Sequence, residues 1–166
     1  MPSTDVFPGL DECNCLALRQ AGRHITQFYD QHLAPAGLRT TQFAVLAKLR
    51  QTGPMTIAAL AGELVMDRTT MGRSIVPLQR EGLIRVVPGR TDRRSKELQL
   101  TDAGLRRVKA GYKGWEQAQA RFAAIFGAGR AAGLRELLRA ASAADLGAGP
   151  AGQTSVSSLR RGPKHV

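Results

Sequence analysis

The chain has 166 residues, of which 43% are hydrophobic, so it is long enough to bury one globular core. Its formal net charge of +11 and pI near 11.0 indicate an extended polyanion as partner, either nucleic acid or an anionic membrane surface. The sequence disfavours the membrane, since no apolar run approaches the roughly 20 residues that cross a bilayer, and the acidic start lacks the features of a secretory signal.

These exclusions predict a cytoplasmic protein, and the cysteines agree with that prediction. Cys13 and Cys15 lie one residue apart with no second pair, which suits neither a disulfide framework nor a zinc site, so we expect free thiols in a reducing compartment. The histidines do not fall at metal-ligand spacing, and the sequence has no phosphate-binding glycine loop or nucleophile and base set. We therefore predict no metal, no cofactor and no catalytic residue.

A long first helix is predicted after a polar segment at residues 1–10, which we expect to be disordered. Apolar residues recur in a loosely helical pattern from Leu16 to Leu33. Pro35 and Gly37 then mark the end of this helix.

Three further helices follow in close succession. "TTQFAVLAKLRQ" predicts the second helix, with Thr40 or Thr41 as its cap. Thr56 is expected to cap a third helix of about eight residues, and Asp67 a fourth of about fifteen that Gly82 closes. Two helices joined by so few residues predict a helix-turn-helix.

The stretch "VVPGRTDRRSKELQLT" at residues 86–101 predicts a basic β-hairpin. "IRVVP" and "KELQL" have the composition of strands and can pair antiparallel across the loop between them. Only Asp92 opposes the positive charge of this loop, which comes from Arg90, Arg93, Arg94 and Lys96.

A long helix and a short one complete the predicted elements. Thr101 and Asp102 are expected to cap a helix whose apolar positions run from Leu105 to Phe122, and "AGLRELLRAASAA" predicts a last short helix. The Gly, Ala, Ser and Pro-rich end of the chain cannot bury enough apolar surface to offset its ordering entropy, so we expect it to be disordered. The fold class is therefore mainly α with a small β-hairpin wing, the order of elements in a winged helix-turn-helix.

This order of elements predicts binding to double-stranded DNA. The second helix of such a motif lies in the major groove with its N-terminal residues facing base edges. Arg68 and Arg73 can donate hydrogen bonds to O6 and N7 of guanine in the major groove. A hairpin tip with several guanidinium groups can bind in a neighbouring minor groove, where the potential is negative. Asp92 is then expected to orient one of the arginines. The predicted DNA-binding residues are Arg68, Thr69, Thr70, Arg73, Ser74, Arg90, Asp92, Arg93 and Arg94. The alternative is a solvated loop that only maintains solubility.

The same residues resemble the MarR family of bacterial transcriptional regulators. The resemblance covers most of residues 12–144 and is carried by "LRTTQFAVLAKL", by "TIAALAGELVMDRTTMGRSIVPLQREGLI" and above all by "DRRSKELQLTDAG". It implies an obligate homodimer on a palindromic operator, with Asp92 and Arg94 in bridging and minor-groove roles. An amphipathic helix at each end of the chain also needs a surface to bury itself against. The expected parts are a disordered N-terminus at 1–10, a helical dimerisation region at 11–36 and 102–144, a DNA-binding lobe at 38–101 and a disordered basic tail at 145–166.

The resemblance also implies a switch, operated by a phenolic or other aromatic ligand or by cysteine oxidation. Cys15 begins a segment similar to the first helix of the organic-hydroperoxide-sensing subgroup, in which a tyrosine matching Tyr29 hydrogen-bonds the reactive thiolate. Two further tyrosines of that subgroup are replaced here by Arg19 and Thr40. Arg19, one helical turn after Cys15, can itself stabilise a thiolate, as can Arg23 or His24 if they fold back. The alternative is a small buried hydrophobe.

For a ligand cleft, the aromatic candidates are Phe28, Phe43, Tyr112 and Trp115, with Arg19 or His24 as anion anchors. Ordinary core or dimer packing is the alternative for each ring. The function predicted from these residues is a dimeric, operator-specific regulator and repressor that is not an enzyme. Two other hypotheses are a non-specific DNA-compacting protein and a thiol peroxidase that uses Cys15.

Overall fold

The computed structural model describes residues 9–89, 92 and 94–145. Contacts divide the chain after Ala128, so that the elements up to that point form one compact unit and the residues from Gly129 belong to a second. None of the described helices is both long and apolar enough to cross a membrane. The helices are α1 Asn14–Leu33, α2 Thr40–Thr52, α3 Ile57–Glu63, α4 Arg68–Arg80, α5 Asp102–Phe126 and α6 Ala128–Ala143, and the strands are β1 Met55–Thr56, β2 Ile84–Pro88 and β3 Lys96–Leu100.

Three of the predicted helix caps are confirmed by hydrogen bonds. The Thr56 hydroxyl accepts from the backbone N–H of Ala59 at 3.1 Å, which starts α3. The Thr101 hydroxyl accepts from the N–H of Gly104 at 3.0 Å, which starts α5. Asp67 caps α4 in the same way. These bonds satisfy backbone donors that have no partner inside the first turn of a helix.

The predicted threonine cap of α2 is wrong. Arg39 is the N-cap residue, and Thr40 is already inside the helix. The Thr40 N–H and hydroxyl both donate to the Asp30 carboxylate of α1, at 2.6 and 2.7 Å. A carboxylate from a neighbouring helix therefore satisfies the first turn of α2 and ties α1 to it. The first helix ends at Leu33, close to the predicted Pro35 and Gly37, and a 3-10 turn over Ala34–Ala36 follows.

The two predicted hairpin strands pair antiparallel, with Ile84 opposite Leu100 and Pro88 opposite Lys96. The sheet has a third strand that the sequence did not reveal. The two residues of β1 pair with β3 on its other side, so that β3 is the central strand. The wing is therefore anchored to the chain just before α3.

The core lies where α1, α2, α4, α5 and the sheet meet. Its fully buried side chains come from nearly every element and are Leu33, Val45, Leu46, Leu60, Met71, Leu78, Leu98 and Val108. Glycines allow α5 to approach its neighbours closely. A Cβ on Gly114 would overlap the carbonyl oxygen of His32 in α1, and one on Gly104 would overlap that of Leu83. The axis of α5 thus lies nearer to α1 and the sheet than ordinary side chains permit.

The predicted ends of the chain are tested only in part. The last helix is longer than the predicted segment 132–144, because it begins at Ala128. The sequence pattern missed its first residues because Gly129 is a poor helix former. The disorder predicted for the N-terminus and the basic tail falls almost entirely on 1–8 and 146–166, which lie outside the described residues.

Candidate nucleic-acid interface

The N-terminal turn of α4 is fixed by its cap and presents polar side chains to solvent. The Asp67 carboxylate accepts from the N–H of Thr70 at 2.8 Å. Hydrogen bonds from the Thr70 side chain and backbone lower the pKa of Asp67 from its ordinary value of 3.8. The carboxylate is therefore ionised at neutral pH and interacts favourably with the positive end of the helix dipole.

The two faces of α4 separate the predicted DNA-binding residues from the core. Met71, Ile75 and Leu78 are buried against α2 and α3. Four of the predicted side chains are exposed on the opposite face, namely Arg68, Thr69, Thr70 and Arg73. Ser74 differs, because it is half-buried and its hydroxyl donates to the carbonyl of Thr70 at 2.9 Å. Its donor is thus used inside the helix.

The turn of the wing is held by Asp92. One oxygen of its carboxylate accepts from the backbone N–H of Arg94 at 2.9 Å. Its carbonyl accepts from the backbone N–H and the hydroxyl of Ser95, at 3.0 and 2.7 Å. The carboxylate orders the backbone that carries Arg94, whose side chain is exposed. That Asp92 also orients an arginine side chain stays a prediction. Arg90 and Arg93 lie outside the described residues.

Two cations on the strands of the wing were not among the predicted site residues. Arg85 in β2 lies opposite Gln99 in β3, and its Nε donates to the Gln99 side-chain oxygen at 2.9 Å. Lys96 is exposed at the start of β3. Arg85 could be found from the pairing register of the hairpin, because that register places it opposite Gln99 on the polar side of the strand pair.

Arg107 of α5 ties the far end of α4 to the rest of the unit. Its guanidinium lies 3.3 Å from the Glu81 carboxylate, at the C-cap of α4, and 3.4 Å from the carbonyl oxygen of Gly37. The Thr101 hydroxyl donates to the carbonyl of Gly82 at 2.7 Å. The position of α4 is therefore coupled to α5 and to the segment between α1 and α2.

The structure brings together three of the four aromatic candidates for a ligand cleft. Phe43, Tyr112 and Trp115 line a cavity of about 440 Å³, together with Tyr29. The Phe43 and Tyr112 ring centroids are 5.1 Å apart, and those of Tyr112 and Trp115 are 6.0 Å apart. The polar lining comes from Thr26, Thr40 and Gln51.

The other cleft candidates lie elsewhere. Phe28 packs against Tyr29, His32 and Phe122, so it belongs to the aromatic packing between α1 and α5. Arg19 and His24, expected as anion anchors, do not line the cavity. Arg19 instead lies on a separate exposed groove of α1. The residues that line the cavity include no lysine, arginine or histidine, but the Arg50 guanidinium carbon lies 4.9 Å from the centroid of the Tyr112 ring.

The two cysteines begin α1 and differ in environment. Cys15 is exposed, whereas Cys13 is half-buried and its sulfur accepts from the N–H of Leu16 at 3.4 Å as the N-cap of the helix. Tyr29 lies near the other end of the same helix, so a rise of about 1.5 Å per residue places it roughly 20 Å from Cys15. A Tyr29 hydroxyl can therefore reach a Cys15 thiolate only from a second copy of the chain. Among the described residues, no cluster of His, Cys, Asp or Glu could hold a metal ion.

Comparisons with known proteins agree with this geometry. The MarR family profile matches residues 38–96, from the start of α2 into β3. The transcriptional repressor NicR of Pseudomonas putida is 30% identical over 87 residues, which are 52% of this chain and 55% of NicR. The curated relatives that the chain matches are thus covered over only 55% to 61% of their own length.

Two solved structures are similar over most of the chain. The Mycobacterium tuberculosis regulator MosR, crystallised in complex with DNA, is 34% identical, with 81% of this chain and 100% of that chain covered and a TM-score of 0.69. BpsR of Bordetella bronchiseptica, whose DNA binding is regulated by 6-hydroxynicotinic acid, is 28% identical. That comparison covers 84% of this chain and 99% of BpsR, with a TM-score of 0.73.

Proposed function

This chain belongs to the MarR family, and on that premise we propose that it is a homodimeric, sequence-specific DNA-binding transcriptional regulator that acts as a repressor. The observation that carries the proposal is the surface formed by the start of α4 and the wing. A capped helix end exposes Arg68 and Arg73, and a turn ordered by Asp92 exposes Arg94. Exposed cations carried on an ordered backbone suit base edges and phosphates of duplex DNA.

Exposed apolar side chains support the homodimer. Leu18 in α1 is 49% exposed, and Ile125 near the end of α5 is 70% exposed. In α6, Leu137 is 71% exposed. Helices that keep such side chains in water gain free energy when a second copy covers them. A twofold dimer then presents two copies of α4 and the wing to two halves of a palindromic operator.

The cavity beside Tyr112 supports control by a small molecule. Its walls are aromatic and its polar groups are hydroxyls and an amide, which suits a planar aromatic or phenolic ligand. Thr40 lines this cavity and is bonded to Asp30, so a ligand there touches the junction between α1 and α2. Release from DNA follows if the ligand favours a placement of α2 and α4 that no longer fits two half-sites.

Oxidation of Cys15 is the alternative switch, supported by its exposure at the start of α1. The thiolate attacks the terminal oxygen of an organic hydroperoxide and becomes a sulfenic acid as the O–O bond breaks. The remaining alkoxide takes up a proton and leaves as an alcohol. We predict that Cys15→Ser protein stays on DNA when hydroperoxide is added, whereas wild-type protein is released. Continued release of Cys15→Ser by hydroperoxide would assign the switch to the cavity. Catalytic turnover of hydroperoxide by the wild type would favour the thiol peroxidase instead.

Footprinting tests the proposed function directly. We expect full-length protein to protect a short inverted repeat in the DNA that flanks its own gene, and to release it with the correct ligand or oxidant. The net charge of +11 also favours a second candidate, a non-specific DNA-compacting protein. Uniform protection of all fragments, without a boundary, would support that candidate and contradict the regulator.

A further inference from the structure

The turn of the helix-turn-helix holds a valine in a backbone conformation that favours glycine. Helix α3 ends with two hydrogen bonds, from Met66 N–H to the Ala61 carbonyl at 2.8 Å and from Val65 N–H to the Gly62 carbonyl at 3.2 Å. These bonds form a Schellman motif, whose left-handed position is usually glycine. Val65 occupies that position with φ of 51°, and it is the only non-glycine residue with positive φ in the described part of the chain.

The conformation of Val65 is unfavourable for its own side chain. In the left-handed region Cβ lies too close to the following carbonyl oxygen, and branching at Cβ adds to this crowding. Elsewhere in the described chain, positive φ is taken by glycines, namely Gly37, Gly53, Gly82 and Gly127. A glycine at position 65 would therefore allow the same turn without strain.

Burial in the folded unit does not offset this strain. Val65 is 79% exposed, the highest value among the exposed large hydrophobic residues of the described chain. The apolar contact that accompanies a Schellman motif is made by the next residue, Met66, which packs against the core. The isopropyl group of Val65 is therefore not buried in the described unit and does not stabilise it by burial.

The position of Val65 points to the partner that contacts it. It lies two residues before Asp67, the cap of α4, and three and four residues before the exposed Arg68 and Thr69. In a docked helix-turn-helix this end of the second helix enters the major groove. The apolar group that the major groove offers is the C5 methyl of thymine. We propose that Val65 is a specificity-determining residue that contacts a thymine methyl beside the bases read by α4; this inference rests on the proposed function.

The test uses full-length protein and a duplex that wild-type protein selects from a randomised library. Val65→Gly and Val65→Ala both remove the two γ-methyl groups. The alanine variant relieves only the strain due to branching, whereas the glycine variant also relieves the strain due to Cβ. We expect both variants to bind the selected duplex about threefold to tenfold more weakly, as the loss of one small apolar contact predicts. The slope of log affinity against log salt should not change, because no phosphate contact is lost. The thermal midpoint of Val65→Gly should equal or exceed that of the wild type.

Replacing single thymines of the selected duplex by uracil locates the contact. At one position in each half-site, uracil should lower the affinity of the wild type. The same replacement should not lower the affinity of Val65→Ala any further, because that variant already lacks the contact. Gly82→Val is the matched control for strain, since Gly82 has φ of 68° and a Cβ there meets nothing within 4 Å. Its thermal midpoint should fall, which measures the cost of a valine in this conformation without a clash.

The outcomes separate this inference from the proposed function. If wild-type protein selects no duplex, the proposed function itself fails. If it selects one that both Val65 variants bind as tightly, the contact is refuted and the regulator stands. An unchanged midpoint in Gly82→Val, or the absence of a uracil position coupled to Val65, would also overturn the inference.

Discussion

Arg94 is the residue at which the wing assignment is most directly tested. Its backbone is fixed by Asp92 and its side chain is exposed, so truncation should leave the fold unchanged. We predict that Arg94→Ala weakens binding to the selected duplex by about 1–3 kcal/mol, as measured by a fluorescence titration. Arg80→Ala, which removes the same charge from an exposed position in the last turn of α4, is the matched control and should have a much smaller effect. Equal effects of the two changes would mean that charge alone is responsible.

Asp67 gives a prediction of pH dependence at the same scale. Because the Thr70 hydrogen bonds lower its pKa below 3.8, the folded protein binds fewer protons at this site than the unfolded chain. The stabilisation by the ionised cap is therefore fully present above the ordinary pKa and is lost as the pH falls through the lower folded value.

Denaturant titrations from pH 6 down to pH 3 measure this loss. Asp67→Asn keeps an oxygen acceptor but cannot titrate, so its stability should fall less than that of the wild type between about pH 4 and pH 3. Parallel loss in both proteins would show that the cap does not stabilise the fold through its charge.

At the scale of elements, the approach of α5 to α1 depends on glycine. Gly114→Ala places a methyl group where the His32 carbonyl lies, so it should lower the free energy of unfolding by about 1–3 kcal/mol. Gly72→Ala in α4 is the matched control, because a Cβ there meets nothing within 4 Å and should stabilise the helix by roughly 0.5–1 kcal/mol. Urea titrations of both variants measure the difference. A Gly114→Ala protein as stable as Gly72→Ala would refute the close packing.

Local patterns predict most of these elements from the sequence. The caps of α3, α4 and α5 each join residues three positions apart, so they can be predicted without the fold. The hairpin can be predicted because its two strands follow each other directly along the chain. The Asp30 cap of α2 joins residues of two different helices, and no local pattern signals it. Strand β1 has two residues, too few for an alternating pattern to be visible.

The candidate site divides in the same way. Helical periodicity predicts that Arg68 and Arg73 are exposed, and composition predicts a basic wing. Neither periodicity nor composition predicts that the Ser74 hydroxyl donates to the Thr70 carbonyl, or that Phe28 packs outside the cavity. Both contacts depend on which neighbours the folded chain supplies. The strained backbone of Val65 is also invisible in the sequence, since valine is an unexpected residue at a left-handed turn.

At the scale of the whole molecule, the proposed dimer brings the two DNA-binding surfaces into one complex. Ile125→Asp puts a charge on the exposed apolar end of α5 and should shift the protein from dimer to monomer in sedimentation experiments. Monomers contact one half-site, so the affinity for a palindromic duplex should fall with the dimer. Unchanged sedimentation would place the interface elsewhere.

The most direct test of the account is the affinity of wild-type protein for its selected duplex and for a random duplex of equal length, measured at physiological ionic strength. We predict at least about a thousandfold preference for the selected duplex, with two chains bound per duplex. Comparable affinities that fall together as salt is added would contradict sequence-specific binding by α4 and the wing.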